Sequence, residues 1–386
     1  MEFDETVVLR IRKEDLMRIA NAFEICGEIT KIRQIKKGYI NLTYEINTLS
    51  EAGHIHKYIL QRINTNVFPD VDALMENFLL VTEHLKANFR LPGGDPSQPS
   101  TQCLKKTHDD KLYLKDATGC WRVVKFFDDV YSLDIPDHPE TFRYAGEAFG
   151  LFIKKMADVD PAKIHEVIPN FHNTYRRYCD LKKSIARDPV GRVKDVQPEI
   201  ASVESRQMYY GMIPLALENG LIPTRICHND CNLNNILFDN ESHLPVAIID
   251  LDTVMPSSPL YDFGDSMRIG TNNAKDDEKD LSKVFCNLEL YEQYARGYLS
   301  SCGDLLTKDE LELLPYASIV IASEDGIRFL MDHIDGDTYY TIDYPGQNLD
   351  RSRTQLRLAQ DMVDKLPEIK KILNTIYKEL GLKASL

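Results

Sequence analysis

Two rhythms divide the chain. Over the first third, short apolar runs and alternations mark strands at Val7 to Ile11, Ile29 to Ile35, Tyr39 to Ile46, His56 to Arg62, Leu112 to Lys115 and Trp121 to Phe127. Lys36-Lys37-Gly38 closes a hairpin between the second and third of these, and Asp116 to Gly119 turns the chain into the last. Helices interrupt the strands twice. Leu16, Ile19, Ala20 and Phe23 recur at helical spacing up to Cys26-Gly27, and Val71, Leu74, Phe78, Val81 and Leu85 form one stripe after Phe68-Pro69-Asp70. Pro92 to Ser100 is loop by composition. From Thr141 onward the period becomes helical: Phe142, Ala145, Phe149 and Phe152; then Met208, Met212 and Leu215; then Leu288, Tyr291, Ala295 and Tyr298. Thr307-x-x-Glu310 reads as a capping box, and the last helices run from about Thr354 to Leu380 with a break at Pro367. One hairpin breaks the helical rhythm, with strands Asn235 to Phe238 and Val246 to Ile249 around the turn Asp239 to Ser242. The pattern predicts an α+β protein without internal repeats: a small antiparallel sheet domain over 1–128, then a mainly helical domain over 129–386.

Composition narrows this picture only a little. At 386 residues, with 43% hydrophobic and 27% charged positions, the chain can bury a sizeable core. A net charge of -14 argues against a general nucleic-acid partner or an anionic membrane surface. No stretch approaches the ~20 apolar residues of a membrane span. The start, MEFDETVVLRIRKEDL, lacks the apolar core of a signal peptide, so a cytoplasmic protein is expected. The cysteines are scattered without C-x-x-C pairs, which points to neither a disulfide framework nor a zinc module. Cys227, His228, Asp230 and Cys231 are close together, but no second ligand pair has suitable spacing for zinc.

The candidate chemistry lies in residues 227–252, CHNDCNLNNILFDNESHLPVAIIDLD. His228, Asp230 and Asn235 stand in the order H-x-D-x-x-x-x-N, and an apolar strand then runs into Asp250-Leu251-Asp252. The order suits phosphoryl transfer. Asp230 would accept the proton of an attacking hydroxyl, while Asn235 and Asp250, folded together by the hairpin, would supply oxygen ligands to one magnesium ion. The bland alternative is a set of ordinary turn formers. No G-x-x-x-x-G-K-[ST] occurs, which counts against a P-loop enzyme.

This segment resembles the catalytic and metal-binding stretch of the aminoglycoside phosphotransferase and choline kinase-like superfamily, relatives of the protein kinases. The strings KKGYINLTYEI, YILQRINTNVFPD, FHNTYRR, CHNDCNLNNIL, IIDLDTVMP, DFGDSMRIG, EDGIRFL and NLDRSRTQ, in that order, resemble the bacterial N-acetylhexosamine 1-kinases within it. The resemblance implies a two-lobed, protein kinase-like fold with ATP between the lobes and Mg2+ at Asn235 and Asp250. Its product would be the 1-phosphate of an N-acetylhexosamine, with Asp230 the catalytic base. Gly38 to Asn41 would cover the phosphates, and the backbone of Lys125 to Asp129, Phe127 included, would hold the adenine. Arg62 would steady the phosphates and pair with Glu76 or Glu83, with Gln61 in its place if the pleat is reversed. Arg328 and Tyr339, with Asp230, would meet the sugar. Tyr39 and Ile269 would line its pocket, standing where the family often carries histidine and phenylalanine. Asp262 of Asp262-Phe263-Gly264 is expected to be structural. The alternatives are a kinase of the same fold acting on choline or an aminoglycoside, and a nucleotide-binding module without catalysis.

Overall fold

The computed structural model describes residues 11–35, 40–95, 99–272 and 274–386. They form two compact units, one of the described residues within 1–87 and 101–130 and one of those within 88–100 and 131–386.

In the first unit α1 (Lys13–Ala20) precedes β1 (Glu28–Ile35), β2 (Leu42–Leu49) and β3 (Ile55–Ile63). Helix α2 (Val71–Asn88), β4 (Leu104–Lys105), β5 (Leu114–Asp116) and β6 (Gly119–Lys125) follow. The strands form an antiparallel sheet in the order β1-β2-β3-β6-β4, with β5 also on β6. One face buries Tyr44, Ile46, Tyr58, Leu60, Trp121 and Val123 against Leu16, Ile19 and Ala20 of α1 and against Phe23, which the spacing placed in the same helix but which lies past its end, bridged to Thr107. The α2 stripe, Val71, Leu74, Phe78, Val81 and Leu85, is likewise buried. Asp70 caps its start, accepting from the Ala73 amide at 3.0 Å. Residues 7–10 of the expected first strand and the turn at 36–39 lie outside the described residues. The short β4 had no alternation long enough to reveal it.

The chain passes through β7 (Val130–Tyr131) into the second unit. There α3 (Pro139–Met156), α4 (Thr174–Arg187), α5 (Gln197–Glu204), α6 (Gln207–Tyr210) and α7 (Met212–Glu218) lead to β8 (Arg225–Cys227). The hairpin of β9 (Ile236–Asp239) and β10 (Pro245–Ile248) comes next, then β11 (Met255–Ser257), which pairs back on β8. Helices α8 (Pro259–Gly270), α9 (Leu288–Cys302), α10 (Lys308–Asp335), α11 (Gln347–Asp364) and α12 (Leu366–Leu380) complete it. Helices α3 and α9 meet backbone to backbone: a Cβ on Gly146 would collide with the Tyr294 carbonyl oxygen, and one on Gly297 with that of Arg143. The capping box at α10 forms as read, with the Glu310 amide donating to Thr307 Oγ1 at 3.2 Å and the Thr307 amide to Glu310 Oε2 at 2.7 Å. Pro315 has no N–H for the Leu311 carbonyl four residues back, and the Tyr377 hydroxyl of α12 donates to that oxygen instead, at 2.8 Å.

One predicted stripe is corrected. Met208 and Leu215 face solvent, and the chain breaks into α6 and α7 at Gly211, so that Tyr210, Ile213 and Ala216 are the residues buried there. Among the described residues no helix is long and apolar enough to cross a membrane.

Candidate active site

Strand β8 delivers the chain into a loop that is clamped from several sides. The Asp262 carboxylate, in the first turn of α8, accepts from the amides of His228 at 2.8 Å and Asn229 at 2.7 Å. Asn229 takes the left-handed conformation, with φ of 63°, which asparagine tolerates better than most residues. Its side-chain Nδ2 donates to the carbonyls of Cys227 at 3.1 Å and Thr253 at 2.9 Å, and Thr253 Oγ1 donates to the His228 carbonyl at 2.8 Å. His228 Nε2 stands 3.0 Å from the Ile249 carbonyl, which can only accept, so this nitrogen carries the proton. Burial of the ring lowers its pKa to about 4, and Phe149 and Phe152 meet it edge-on. His228 is therefore a neutral tie between the two halves of the motif.

Asp230 follows, with both carboxylate oxygens engaged. Asn232 Nδ2 donates to Oδ1, and Asn235 Nδ2 donates to Oδ2 at 3.1 Å and to the Asp230 carbonyl at 2.8 Å. Loss of water and the neighbouring Asp265 push its pKa up to about 6, into the range where a carboxylate serves as a general base near neutral pH. The hairpin brings the second acidic element back to the same place: the Ile249 amide donates to the Asn235 carbonyl at 2.9 Å, and Asp250 is the next residue. Asp250 is held at φ 59° and ψ 59°, a costly conformation for a residue other than glycine and one that clusters at functional sites. Asn235 and Asp250 carry the hard oxygen donors that magnesium prefers.

Beyond Asp230 the charges are paired. Asp265 meets Arg268 Nη2 at 2.8 Å; Asp325 meets Arg268 Nε at 3.3 Å and Arg328 Nη1 at 3.2 Å. The Arg328 guanidinium lies over the Tyr340 ring, 5.7 Å from its centre. Tyr339, 71% exposed, stands edge-on to Tyr340 at 4.8 Å. The turn carrying both tyrosines is fixed by Asp332, whose carboxylate accepts from the amides of Thr338, Tyr339 and Tyr340 at 2.9, 2.8 and 3.0 Å. Ile269 is half-buried on α8, beside Arg268 in sequence.

In the first unit the pleat decides which side chain faces α2. Arg62 lies opposite Trp121 and shares its face with Tyr58 and Leu60, the side packed on α1. The expected pairing with Glu76 or Glu83 is therefore not made, because α2 covers the other face. That face carries Gln61 and its cross-strand partner Arg122, whose Nε and Nη2 donate to Gln61 Oε1 at 3.0 and 2.8 Å. The Arg122 guanidinium lies 4.7 Å from the centre of the Phe78 ring of α2. Asn41 accepts from the Asn64 amide at 2.9 Å, and Phe127 follows the end of β6 in irregular backbone. Gly38 and Tyr39 lie outside the described residues.

Residues 31–314 match the phosphotransferase enzyme family, APH. The chain belongs to that family. The phosphotransferase also matches solved structures of low identity, which show the fold. An aminoglycoside phosphotransferase from Alicyclobacillus acidocaldarius is 12% identical with a TM-score of 0.58, over 93% of this chain and 96% of its own. Spectinomycin phosphotransferase, solved with ADP and spectinomycin, is 11% identical with a TM-score of 0.57, over 93% of this chain and 99% of its own. A microcompartment-associated aminopropanol kinase is 13% identical with a TM-score of 0.57, over 91% and 97%. The protein is thus a member of a phosphotransferase family, with a sheet unit and a helical unit.

Several residues of this phosphotransferase escaped the sequence reading. Asn232, Asp265, Arg268, His172, Glu324 and Asp325 sit in or beside the strings CHNDCNLNNIL, DFGDSMRIG, FHNTYRR and EDGIRFL. Those strings pointed to the segments. The three-residue spacing of Asp265 with Arg268 and of Asp325 with Arg328 suits pairs on one helix face, but nothing in it said that Arg268 would meet Asp325 or that His172 would meet Glu324.

Proposed function

We propose that the protein transfers the γ-phosphoryl group of ATP to the anomeric hydroxyl of an N-acetylhexosamine, GlcNAc or GalNAc, giving the sugar 1-phosphate. The observation that carries this reading is the charge pairing beside Asp230. Asp265 and Asp325 are matched by Arg268 and Arg328, so the acceptor side offers directional donors, acceptors and an aromatic edge rather than unpaired carboxylates. Such a surface suits a neutral ring bearing hydroxyls and an amide. Choline or an aminoglycoside would call for unpaired negative charge. The resemblance to N-acetylhexosamine 1-kinases supports the same choice.

Asp230 accepts the proton of the sugar hydroxyl as its oxygen bonds to the γ-phosphorus and the bridging oxygen leaves. Asn232 and Asn235 orient that carboxylate. Asn235 and Asp250 would hold Mg2+, which neutralises developing charge on the phosphates when bound. The amicoumacin kinase solved with AMP-PNP and Ca2+ supports a nucleotide and a divalent ion on this fold. Arg328, Tyr339 and Ile269 are our candidates for sugar contacts, and Asn41 and the backbone at Phe127 for nucleotide contacts. We assign the phosphates to Arg122 rather than Arg62, because it is a buried cation on the face of the sheet that packs on α2, over Phe78. The enzyme would act on a free sugar in the cytoplasm, without a nucleic-acid partner.

Arg328→Ala should lower kcat/KM for the sugar by about ten- to a hundredfold, the scale of a lost hydrogen-bonding partner, and Tyr339→Phe, whose ring is largely exposed, by less, both with ATP binding unchanged. Phosphorus NMR of the product should show phosphate coupled to the C1 proton. A 6-phosphate, or turnover with choline or kanamycin and with no sugar, would overturn the sugar assignment. Arg122→Met should raise KM for ATP by about tenfold or more, the scale of one charge-assisted contact, whereas Arg62→Met should leave it near the wild-type value. Melting curves separate this from loss of packing on Phe78, and the opposite ranking of the two variants would return the role to Arg62.

A further inference from the structure

His172 lies far in sequence from the motif loop yet touches it. Its ring is buried and stacks on Tyr261, with centroids 5.1 Å apart. Nε2 stands 3.0 Å from the carbonyl oxygen of Asn229, the residue before Asp230, and Nδ1 stands 3.0 Å from Glu324 Oε1 on α10. The other Glu324 oxygen accepts from Thr174 Oγ1 at 2.6 Å. A carbonyl oxygen can only accept, so Nε2 carries a proton, and a second on Nδ1 is what the Glu324 carboxylate calls for. The charged surroundings agree. The ring sits in the field of Asp230, Asp262, Asp265, Asp325 and Glu324, while the nearby cation Arg268 is paired with Asp265 and Asp325. Burial works against a charged ring, but the hydrogen bond and charge of Glu324 outweigh it and the pKa of His172 is raised.

We propose that His172 is doubly protonated, ion-paired with Glu324, and serves as a positioning residue that grips the Asn229 carbonyl and so keeps the Asp230 carboxylate aimed at the acceptor hydroxyl. Asn229 needs such a grip. Its left-handed backbone is over-determined by Asp262 on its amide, by its own side chain on the carbonyls of Cys227, Thr253 and Met255, and by His172 on its carbonyl. The inference rests on reading Asp230 as the proton acceptor.

The test combines ring-nitrogen NMR of the full-length enzyme with steady-state kinetics of the isosteric variant Glu324→Gln. Expected at neutral pH are two protonated ring nitrogens for His172 in the wild type and one in Glu324→Gln. The variant's kcat should fall by about ten- to a hundredfold, the scale of a charge-assisted hydrogen bond, at unchanged KM for ATP. A wild-type ring with one bare nitrogen overturns the proposal. So does a Glu324→Gln variant whose ring has lost its proton while kcat stays within about twofold of wild type. Full turnover in Asp230→Asn would instead sink the reading of Asp230 and leave the wild-type ring signals as they are.

Discussion

Asp230→Asn should lower kcat by ~10² or more at saturating ATP and sugar, the scale of lost general-base help, while nucleotide affinity stays near that of the wild type. The substitution preserves the shape of the side chain and removes its basicity. Its one structural cost can be foreseen. Asn232 and Asn235 both donate to the carboxylate, and an amide at this position can accept from only one of them while its NH2 opposes the other. About 1–3 kcal/mol of stability is at risk from that mismatch, so a melting curve must accompany the kinetics. Asp230→Ala brings no opposing NH2 group and should lose turnover to the same extent. If both variants are folded and turn over near the wild-type rate, another group takes the proton.

Asp250→Ala and Asp262→Ala should fail in different ways, although both residues belong to D-x-D or D-F-G-like strings. Asp250→Ala should abolish Mg2+-dependent ATP binding in titration calorimetry with a modest change in melting temperature, because it follows Ile249, whose amide is bonded to the Asn235 carbonyl at the end of the hairpin. Asp262→Ala strands the buried amides of His228 and Asn229, which now donate to the carboxylate at 2.8 and 2.7 Å. Each stranded amide costs about 1–3 kcal/mol, so this variant should melt markedly lower and lose activity through a loosened loop. The reverse ranking, with Asp262→Ala selectively blind to Mg2+ and Asp250→Ala selectively unstable, would reassign the metal ligand.

Part of this site was legible because its geometry is local. His228, Asp230, Asn235 and Asp250 lie within 23 residues of one another, and the turn at Asp239 to Ser242 alone determines that β9 and β10 fold back together. The α1 and α2 stripes were legible for a related reason: burying one helical face requires apolar residues at its spacing. The early start of α11 was hidden because its buried face is polar. Gln347, Asn348, Ser352, Thr354 and Gln355 are all buried, and partners elsewhere in the chain, such as Asp277 and Asp332 for the first two, stand where a helix usually has core aliphatics.

By itself the sequence determined the α+β class, the order of residues in the His228 to Asn235 loop and the cap of α10, since each follows from hydrophobic period or from residues a few positions apart. Tertiary structure alone decided the rest. Whether Arg62 or Gln61 faces α2 depends on the phase of the pleat, which Tyr58, Leu60 and Trp121 set by packing on α1. Asp265–Arg268 and Asp325–Arg328 are pairs three residues apart within α8 and within α10, but their joining through Arg268 and Asp325 depends on α8 lying against α10. His172 meets Glu324 across 152 positions of chain. The spacing of charged residues along a sequence says nothing about which of them share a buried space, and the strength of their interaction depends on that shared burial and distance.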